Sequence, residues 1–198
     1  MKVRKTVKKS NSVSQNISLR KACLDDIEAI MNIEYQCFSQ DTIEDAEVYR
    51  RRIRTFPDGF WVLEKGGETI GAISSEIWNK TEEISADLFC LGHDIAGKHN
   101  PSGNELYISS LGVLPSHRGN GYGEKLFLSL IESVSIAYPN VTSAILLFAD
   151  DWKAARKIYE KNGFKTVEIL PAFFGGRKDP AHDGIVMRNL IHNHRPVR

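Results

Sequence analysis

The sequence predicts an α/β (α+β) domain, and three patterns carry that prediction. Two segments of the second half, residues 106–134 and 141–162, each read as a buried strand followed by an amphipathic helix. A turn rich in glycine joins the strand to the helix in the first of these segments. Short strands around a hairpin signal, Lys65-Gly66-Gly67, occupy the first half. Strands and helices in this mixture favour one sheet covered by helices.

The first half begins with a short strand and two helices. Residues 17–21 alternate between apolar and polar side chains, which is typical of a strand. A helix is predicted over residues 25–37, where acidic residues in the first turn suit the helix dipole. Asp41 with Glu44 three residues later resembles a capping box, so a second helix is predicted from there to about residue 55.

The second predicted helix carries an arginine-rich run, Arg50-Arg51-Arg52-Ile53-Arg54. Such a run could form an anion-binding patch. On a helix, however, successive side chains fan around the axis, so a solvated helix face is the favoured interpretation.

The middle of the chain contains a hairpin and then a long irregular connection. Residues 60–64 and 68–77 are the predicted strands of the hairpin. Glycine and proline interrupt residues 78–104 repeatedly, and some helix is expected only around residues 84–90. A connection of this length inside a compact domain is often a functional loop.

The second half supplies the remaining elements. A strand over residues 106–114 breaks at Pro115 and passes through the turn Arg118–Gly123 (RGNGYG) into a helix. That helix presents one apolar face, formed by Leu126, Phe127, Leu130, Ile131 and Val134. The elements predicted after it are a strand (141–149), a helix (152–162) and two strands (165–169 and 184–190), the last two separated by a loop with Phe173-Phe174-Gly175-Gly176.

The turn Arg118–Gly123 is the most informative segment for function. Its three glycines leave main-chain amides uncovered at a helix start, where the helix dipole favours a pyrophosphate. A P-loop is excluded because Glu124-Lys125-Leu126 follows Gly123 and supplies no hydroxyl residue after the lysine. A dinucleotide fingerprint is excluded by the G-x-G-x-G spacing and by the lack of a carboxylate about 20 positions later.

The pattern that fits is Arg118-x-x-Gly121-x-Gly123, which resembles the coenzyme A signature of the Gcn5-related N-acetyltransferase (GNAT) superfamily. The string Ile158–Phe164 (IYEKNGF) resembles the Y-E-K-x-G-F ending of the same superfamily, in which the tyrosine points toward the coenzyme sulfur. Both motifs lie in the superfamily's order and at about its separation. The chain is most similar to the arylalkylamine N-acetyltransferase branch, and the resemblance covers residues 17–190.

The resemblance implies a GNAT fold, with a mixed, mostly antiparallel central sheet, splayed central strands and helices on both faces. It implies that the pantetheine arm of acetyl-coenzyme A lies along Leu111, Gly112 and Val113. The pyrophosphate is implied to bind Arg118, Gly119, Asn120, Gly121, Tyr122 and Gly123. Tyr159 would protonate the departing thiolate, and the Val113 amide would stabilise the thioester oxygen.

The general base is the least defined of the site residues. In the arylalkylamine branch two histidines alternate on the strand before the coenzyme turn, and Tyr107 and Ser109 stand at those positions here. Glu105 is predicted to share their strand face and could take the proton through water. The predicted catalytic residues are therefore Tyr159, Glu105, Tyr107 and Ser109. Trp152 stands where many relatives place an asparagine.

These residues predict an acetyl-coenzyme A-dependent N-acetyltransferase acting by direct attack on a small primary amine, arylalkylamine-like or polyamine-like. Tyr35, Phe38, the 78–104 connection and the Phe173–His182 loop are expected to form the acceptor walls, where Glu34 or Asp94 could attract a cationic amine. Acetylation of a protein lysine or N-terminus stays open, as does a non-catalytic acyl-coenzyme A-binding module. An open groove would favour a peptide acceptor, and a lid from the connection a small amine.

Composition and charge bound the remaining expectations. The 198 residues suffice for one core, the three cysteines show no paired pattern, and no apolar run reaches the length of a membrane span. Residues 1–16 hold five basic and no acidic side chains, which predicts a basic disordered leader. A single domain at 17–190 and a polar tail at 191–198 follow. We expect a cytoplasmic monomer or homodimer with no metal, nucleic-acid or membrane partner.

Overall fold

The computed structural model describes residues 16–175 and 181–191, which form one seven-stranded sheet with five α-helices. The strands are β1 (Ile17–Lys21), β2 (Phe60–Lys65), β3 (Glu68–Trp78), β4 (Glu105–Val113), β5 (Ser143–Ala149), β6 (Lys165–Phe174) and β7 (His182–Leu190). The helices are α1 (Ile27–Cys37), α2 (Ala46–Thr55), α3 (Ile95–Lys98), α4 (Tyr122–Ala137) and α5 (Lys153–Lys161).

The sheet has the order β1-β2-β3-β4-β5-β7-β6, and every neighbouring pair is antiparallel except β4 with β5. A Cβ atom built on Gly112 of β4 would lie 2.7 Å from Ile33 of α1, and one built on Gly71 of β3 would lie 3.0 Å from Leu126 of α4. Gly112 pairs with Ala72, the neighbour of Gly71, so the two glycines face opposite sides of the sheet. Helices therefore cover both faces. The predicted fold class is confirmed.

The central strands β4 and β5 diverge after a short paired stretch. They pair over four residues each, ending at Ile108 and Leu146, and both strands then continue apart. The divergence begins at Ser109, an extra residue of β4 that has no partner in β3. A β-bulge of this kind bends the strand and shifts the alternation of the side chains that follow. The implied splay is confirmed, and it leaves one edge of residues 109–113 without a strand partner.

Two apolar clusters form the core. The larger joins the sheet to α1, α4 and α5, and it includes Phe127, whose ring centroid lies 5.2 Å from that of Tyr159. The second lies under the 79–104 connection, where Trp78 stacks on Tyr107 at 4.0 Å and Phe89 packs against both rings. Buried aromatic contacts therefore anchor the connection to the sheet.

Three boundaries differ from the sequence expectation. Helix α2 begins at Ala46 rather than near Asp41, because the Glu44 carboxylate binds Arg52 instead of capping a helix. Strand β6 continues to Phe174, beyond its expected end at residue 169. Around residues 84–90, where some helix was expected, the chain forms only a 3-10 turn, and the short helix α3 follows it.

The predicted leader (1–16) and polar tail (191–198) fall outside the described residues, apart from Asn16 and Ile191. They remain predictions. Within the part of the chain that the structure describes, no helix combines the length and the apolar character needed to cross a membrane.

Candidate active site

The glycine-rich turn presents its backbone to solvent at the start of α4. Gly119 and Gly121 adopt left-handed φ angles of +78° and +76°, and a Cβ built on either would meet no atom within 4 Å. Gly121 directly precedes α4, whose first residues are Tyr122 and Gly123. The first amides of a helix lack partners in that helix, so they are available here beside the positive end of the dipole. A diphosphate fits this open turn.

Two polar side chains hold the shape of the turn. The Asn120 amide donates to the main-chain oxygens of His117 and Arg118, at 3.0 Å each. Arg118 Nε donates to the Val113 carbonyl oxygen at 3.1 Å. Arg118 therefore holds the turn against the end of β4. Its guanidinium also offers a positive charge to an anion.

The predicted pantetheine residues lie along the open edge of β4. Leu111, Gly112 and Val113 follow the bulge, in the part of the strand that β5 no longer pairs. A side chain at Gly112 would collide with Ile33 of α1, so glycine permits the close approach of this helix. Unpaired strand edges need hydrogen-bond partners. This edge can therefore bind an extended ligand arm through its main chain.

An open-mouthed cavity of about 80 Å³ lies beside this edge. Its aromatic lining residues come from six parts of the fold: Phe38, Tyr49, Phe89, Tyr107, Trp152, Tyr159, Phe173 and Phe174. The charged residues that line it are Glu34 and Glu44, and neither lysine nor arginine occurs in this lining. An apolar cavity with a few convergent polar groups is typical of a small-molecule site. Glu44 is paired with Arg52, so Glu34 is the carboxylate that favours a positively charged ligand.

Tyr159 lines this cavity from α5. Its side chain is 6% exposed, and its ring packs against those of Phe127 and Phe148. Burial raises the pKa of the Tyr159 phenol above its ordinary value, so the hydroxyl keeps its proton at neutral pH. Such a group can act as a proton donor to a leaving thiolate.

Tyr107 and Ser109 also line the cavity, but both side chains are engaged. Tyr107 stacks on Trp78, and burial raises the pKa of its phenol. The Ser109 hydroxyl lies 2.7 Å from the hydroxyl of Ser74. Neither is basic at neutral pH, although each could donate a hydrogen bond to a bound molecule.

Glu105 does not line the cavity that Tyr107, Ser109 and Tyr159 share. Its carboxylate accepts hydrogen bonds from Ser143 Oγ at 2.8 Å and from Arg188 Nη2 at 3.0 Å, and the residue is 1% exposed. It occupies the start of β4, where β5 still pairs, whereas the cavity lining begins at Tyr107. Glu105 does share the strand face of Tyr107, because both precede the bulge and Glu105 pairs with Trp78, whose ring stacks on Tyr107. Its carboxylate, however, is bound by Arg188.

A different carboxylate, that of Glu34 on α1, lines the cavity. The residue is 4% exposed, and the hydroxyls of Ser110 (2.8 Å) and Tyr49 donate hydrogen bonds to it. Burial raises the pKa of Glu34 to about 7, and these hydrogen bonds oppose part of that rise. The sequence signal was its helical spacing with Ile30 and Met31, which placed a carboxylate on the buried face of α1.

A buried ion network lies behind the same wall. Arg52 is 2% exposed, and its guanidinium pairs with Glu44 (Nη2 to Oε1, 2.9 Å) and with Glu76 (Nε to Oε1, 3.3 Å). His93 Nε2 lies 2.9 Å from both oxygens of Glu76. Burial opposes protonation of His93, but the bond to Glu76 outweighs it and raises the pKa of the imidazole. The interpretation of the arginine run as a solvated face is therefore wrong for Arg52.

Three aromatic rings from three elements border the cavity opening. The Trp152 ring centroid lies 5.3 Å from that of Phe38 and 5.4 Å from that of Phe174. All three residues line both the cavity and the pocket outside it. Trp152 therefore contributes aromatic surface at the position where the resemblance placed an asparagine.

Outside these rings, His182 Nδ1 lies 2.9 Å from Asp150 and Nε2 lies 3.8 Å from Asp151. The carboxylate oxygens of Asp150 and Asp151 and a ring nitrogen of His182 lie within 4.8 Å of one another, a spacing that could hold a cation. Asp150 and Asp151 are exposed, and pairing with His182 accounts for this arrangement.

Fold, turn and cavity agree with a comparison against protein families. The model described as "Acetyltransferase (GNAT) family" matches residues 27–164, which include the glycine-rich turn and end with the tyrosine motif. The chain belongs to the GNAT family of acetyltransferases. The resemblance to this superfamily is thereby confirmed, whereas the arylalkylamine branch remains a prediction.

Two curated proteins resemble this GNAT chain over part of their length. An uncharacterised N-acetyltransferase of Bacillus subtilis (strain 168), YkwB, is 25% identical over 122 residues, which are 59% of this chain and 54% of the relative. The mycothiol acetyltransferase of Amycolatopsis mediterranei (strain U-32) is 32% identical over 123 residues, which are 62% of this chain and 35% of the relative. The chain thus spans about half of the first relative and about a third of the second.

Solved structures of the family share the fold. The GNAT-like decarboxylase GphF in complex with isobutyryl-coenzyme A superposes with a TM-score of 0.71 at 19% identity, covering 87% of this chain and 98% of that one. At this identity the likeness concerns the fold alone, and it agrees with the GNAT architecture described above.

Proposed function

We propose that this GNAT-family chain transfers the acetyl group of acetyl-coenzyme A to a small primary amine. One observation carries the proposal: the open glycine turn, the unpaired edge of β4 and the cavity adjoin one another. A coenzyme arm along that edge would bring its thioester to the cavity that Tyr159 lines. A buried phenol and a buried carboxylate in the wall favour a catalyst over a module that only binds the coenzyme.

The coenzyme would bind mainly through the main chain. The amides of residues 119–123 would hold the diphosphate, and residues 111–113 would pair with the pantetheine amides. The open space at Gly119 and Gly121 fits this role, because nothing in the described chain fills it. The isobutyryl-coenzyme A in the GphF complex supports a coenzyme A ligand for this fold.

The reaction would be a direct attack. The amine nitrogen forms a bond to the thioester carbonyl carbon, and the carbon–sulfur bond breaks. Tyr159 gives its hydroxyl proton to the departing sulfur, which its raised pKa allows at neutral pH. The Val113 amide, at the end of β4, would donate to the carbonyl oxygen as charge builds there.

The acceptor would be small because the 79–104 connection closes one side of the cavity. Phe89 and Leu91 from this connection line it, and Phe173 and Phe174 line it from β6. An extended peptide needs an open groove or a free strand edge instead. The aromatic walls favour an amine with an apolar body, and Glu34 favours an ammonium group.

A thiol-release assay tests the proposed function. Purified protein is given acetyl-coenzyme A with arylalkylamines, diamines, and peptides that carry a free N-terminus or a lysine. We expect release with small amines. Faster release with peptides would favour protein acetylation, and tight coenzyme binding without release by any acceptor would favour the binding module.

The role of Tyr159 has its own test. Tyr159→Phe should lower turnover by about 10²-fold while the affinity for coenzyme A stays unchanged. Tyr35→Phe is the matched control, since Tyr35 is 66% exposed and does not line the cavity. Full turnover in Tyr159→Phe would overturn the assignment of this residue as the acid.

A further inference from the structure

We propose that Glu34 is the general base that takes the proton from the acceptor ammonium, with Ser110 and Tyr49 as positioning residues. This assignment rests on the proposed acetyl transfer and deepens it. The other candidates for the base are less suitable. The hydroxyl of Tyr107 is not basic at neutral pH, and Glu105 is bound to Arg188 outside the cavity lining.

The geometry places the Glu34 carboxylate beside the path of the coenzyme arm. Ser110 donates to Glu34 Oε1 at 2.8 Å, and it directly precedes Leu111 on the open edge of β4. Because the bulge at Ser109 shifts the strand, the Ser110 side chain faces α1. The carboxylate is thereby attached to the strand along which the thioester would lie. An ammonium group in the cavity can reach both.

Of the carboxylates in and behind the cavity wall, Glu34 differs from Glu44 and Glu76 in its ion-pair partners. The Glu44 carboxylate is occupied by Arg52 and by the main-chain amide of Gly92 (2.6 Å). Glu76, deeper in the wall, binds Arg52 and His93. Among the residues that the structure describes, no cationic side chain lies within ion-pair distance of Glu34, and its partners are hydroxyl donors. Glu34 is therefore the carboxylate available to an incoming ammonium.

Its protonation suits the task. Burial raises the pKa of Glu34 to about 7, so a large fraction is ionised at neutral pH and can still accept a proton from the substrate. A base is most effective when its pKa lies near the working pH. An ordinary exposed glutamate, with a pKa of about 4.3, would be a much weaker base for an ammonium group.

The protons balance over one turnover. Glu34 takes one proton from the ammonium, and the free amine then attacks the thioester carbon. As the carbon–sulfur bond breaks, Tyr159 protonates the sulfur. The nitrogen loses its second proton, which restores the Tyr159 hydroxyl. Glu34 returns its proton to solvent, so the products are the amide, coenzyme A and one released proton.

The test is the pH dependence of kcat/KM, measured with the best amine of the screen. That amine should have an ammonium pKa well above the range of the assay. A rise of kcat/KM near pH 7, the acidic limb of the pH profile, then reports the titration of an enzyme group. In the wild type, kcat/KM should rise through about pH 7 as Glu34 loses its proton. Glu34→Gln should remove this limb and lower kcat/KM at about pH 8 by 10²-fold to 10⁴-fold, with coenzyme affinity unchanged.

Three further variants complete the test. Glu34→Asp keeps a carboxylate and should retain the limb at a lower rate, which separates lost basicity from lost folding. Ser110→Ala removes a bond that lowers the pKa of Glu34, so its limb should move to higher pH. Glu28→Gln removes an exposed carboxylate from the same helix and should match the wild type.

The outcomes separate the two proposals. If the wild type turns over an amine but Glu34→Gln keeps its kcat/KM and its limb, the assignment of Glu34 fails and the acetyltransferase proposal stands. If the wild type binds coenzyme A and acetylates no acceptor, both fail. A Ser110→Ala limb that stays in place would refute Ser110 as a positioning residue.

Discussion

Glu34 of α1 and Ser110 of β4 are joined by a 2.8 Å hydrogen bond although 76 positions separate them in the chain. This bond links α1, which lines the cavity, to the edge of β4 that has no strand partner. A buried carboxylate held by hydroxyl groups is costly to ionise, so the same bond connects the candidate site to the stability of the fold.

The first prediction concerns stability against pH. The pKa of Glu34 is raised by burial, so the folded protein holds a proton between about pH 4.5 and 7 that the unfolded chain has lost. Stability from this group should therefore fall as pH rises through that window. Glu34→Gln carries no charge and should avoid the loss. Urea unfolding near pH 4.5 and pH 8 should show a relative gain for the variant on the order of 3 kcal/mol at the higher pH.

Glu28→Gln is the control for that measurement, because it removes an exposed carboxylate from α1. Its unfolding free energy should follow the wild type at both pH values. An equal change for Glu34→Gln at both pH values would contradict the raised pKa.

The second prediction concerns the buried ion network. Arg52→Met leaves Glu44 and Glu76 without their shared cation in a buried position, so the free energy of unfolding should fall by about 3–5 kcal/mol. Arg54→Met is the matched change on the same helix, where the side chain is 56% exposed, and it should cost less than about 0.5 kcal/mol. Equal urea midpoints for the two variants would show that the network contributes nothing.

The third prediction separates backbone strain from coenzyme binding. Gly121 and Gly67 both have left-handed φ angles, +76° and +87°, with open space where a side chain would start. Replacing either by alanine should cost about 1–2 kcal/mol of stability. Only Gly121→Ala should also weaken coenzyme A binding, by at least about tenfold, since it disturbs the turn before α4. Calorimetry with coenzyme A measures this, and equal affinities for the two variants would exclude the turn as the diphosphate site.

The glycine-rich turn before α4 could be recognised in the sequence because its conformational requirements are local. Positive φ angles at Gly119 and Gly121, and free amides at a helix start, depend on a few adjacent residues. The order of strands and helices was predictable for the same reason, since apolar periodicity records which side of each element is buried.

The carboxylate that we propose as the base could not be recognised in this way. Strict alternation along β4 led to Glu105, which shares the strand face of Tyr107, but an ion pair with Arg188 of β7 occupies its carboxylate and the residue does not line the cavity. Glu34 gave only a weak signal, a charge at an inward helical position. What distinguishes Glu34 from Glu105 is the partner that each meets, and those partners come from distant parts of the chain.

The burial of Arg52 is a second feature that the sequence pattern could not reveal. Within the arginine run nothing distinguishes it from its neighbours, and a solvated face was the reasonable interpretation. The packing of α2 turns this one guanidinium toward Glu44 and Glu76, whereas Arg54 stays exposed.

The sequence by itself determined the GNAT architecture and the open glycine-rich turn before α4, because hydrophobic periodicity and glycine conformation act over short stretches of chain. Only the tertiary structure decided which acidic group lines the cavity without a cationic partner among the described residues. Burial and ion pairing depend on neighbours that folding brings together, and they set both the charge of each group and the side of the wall that it faces.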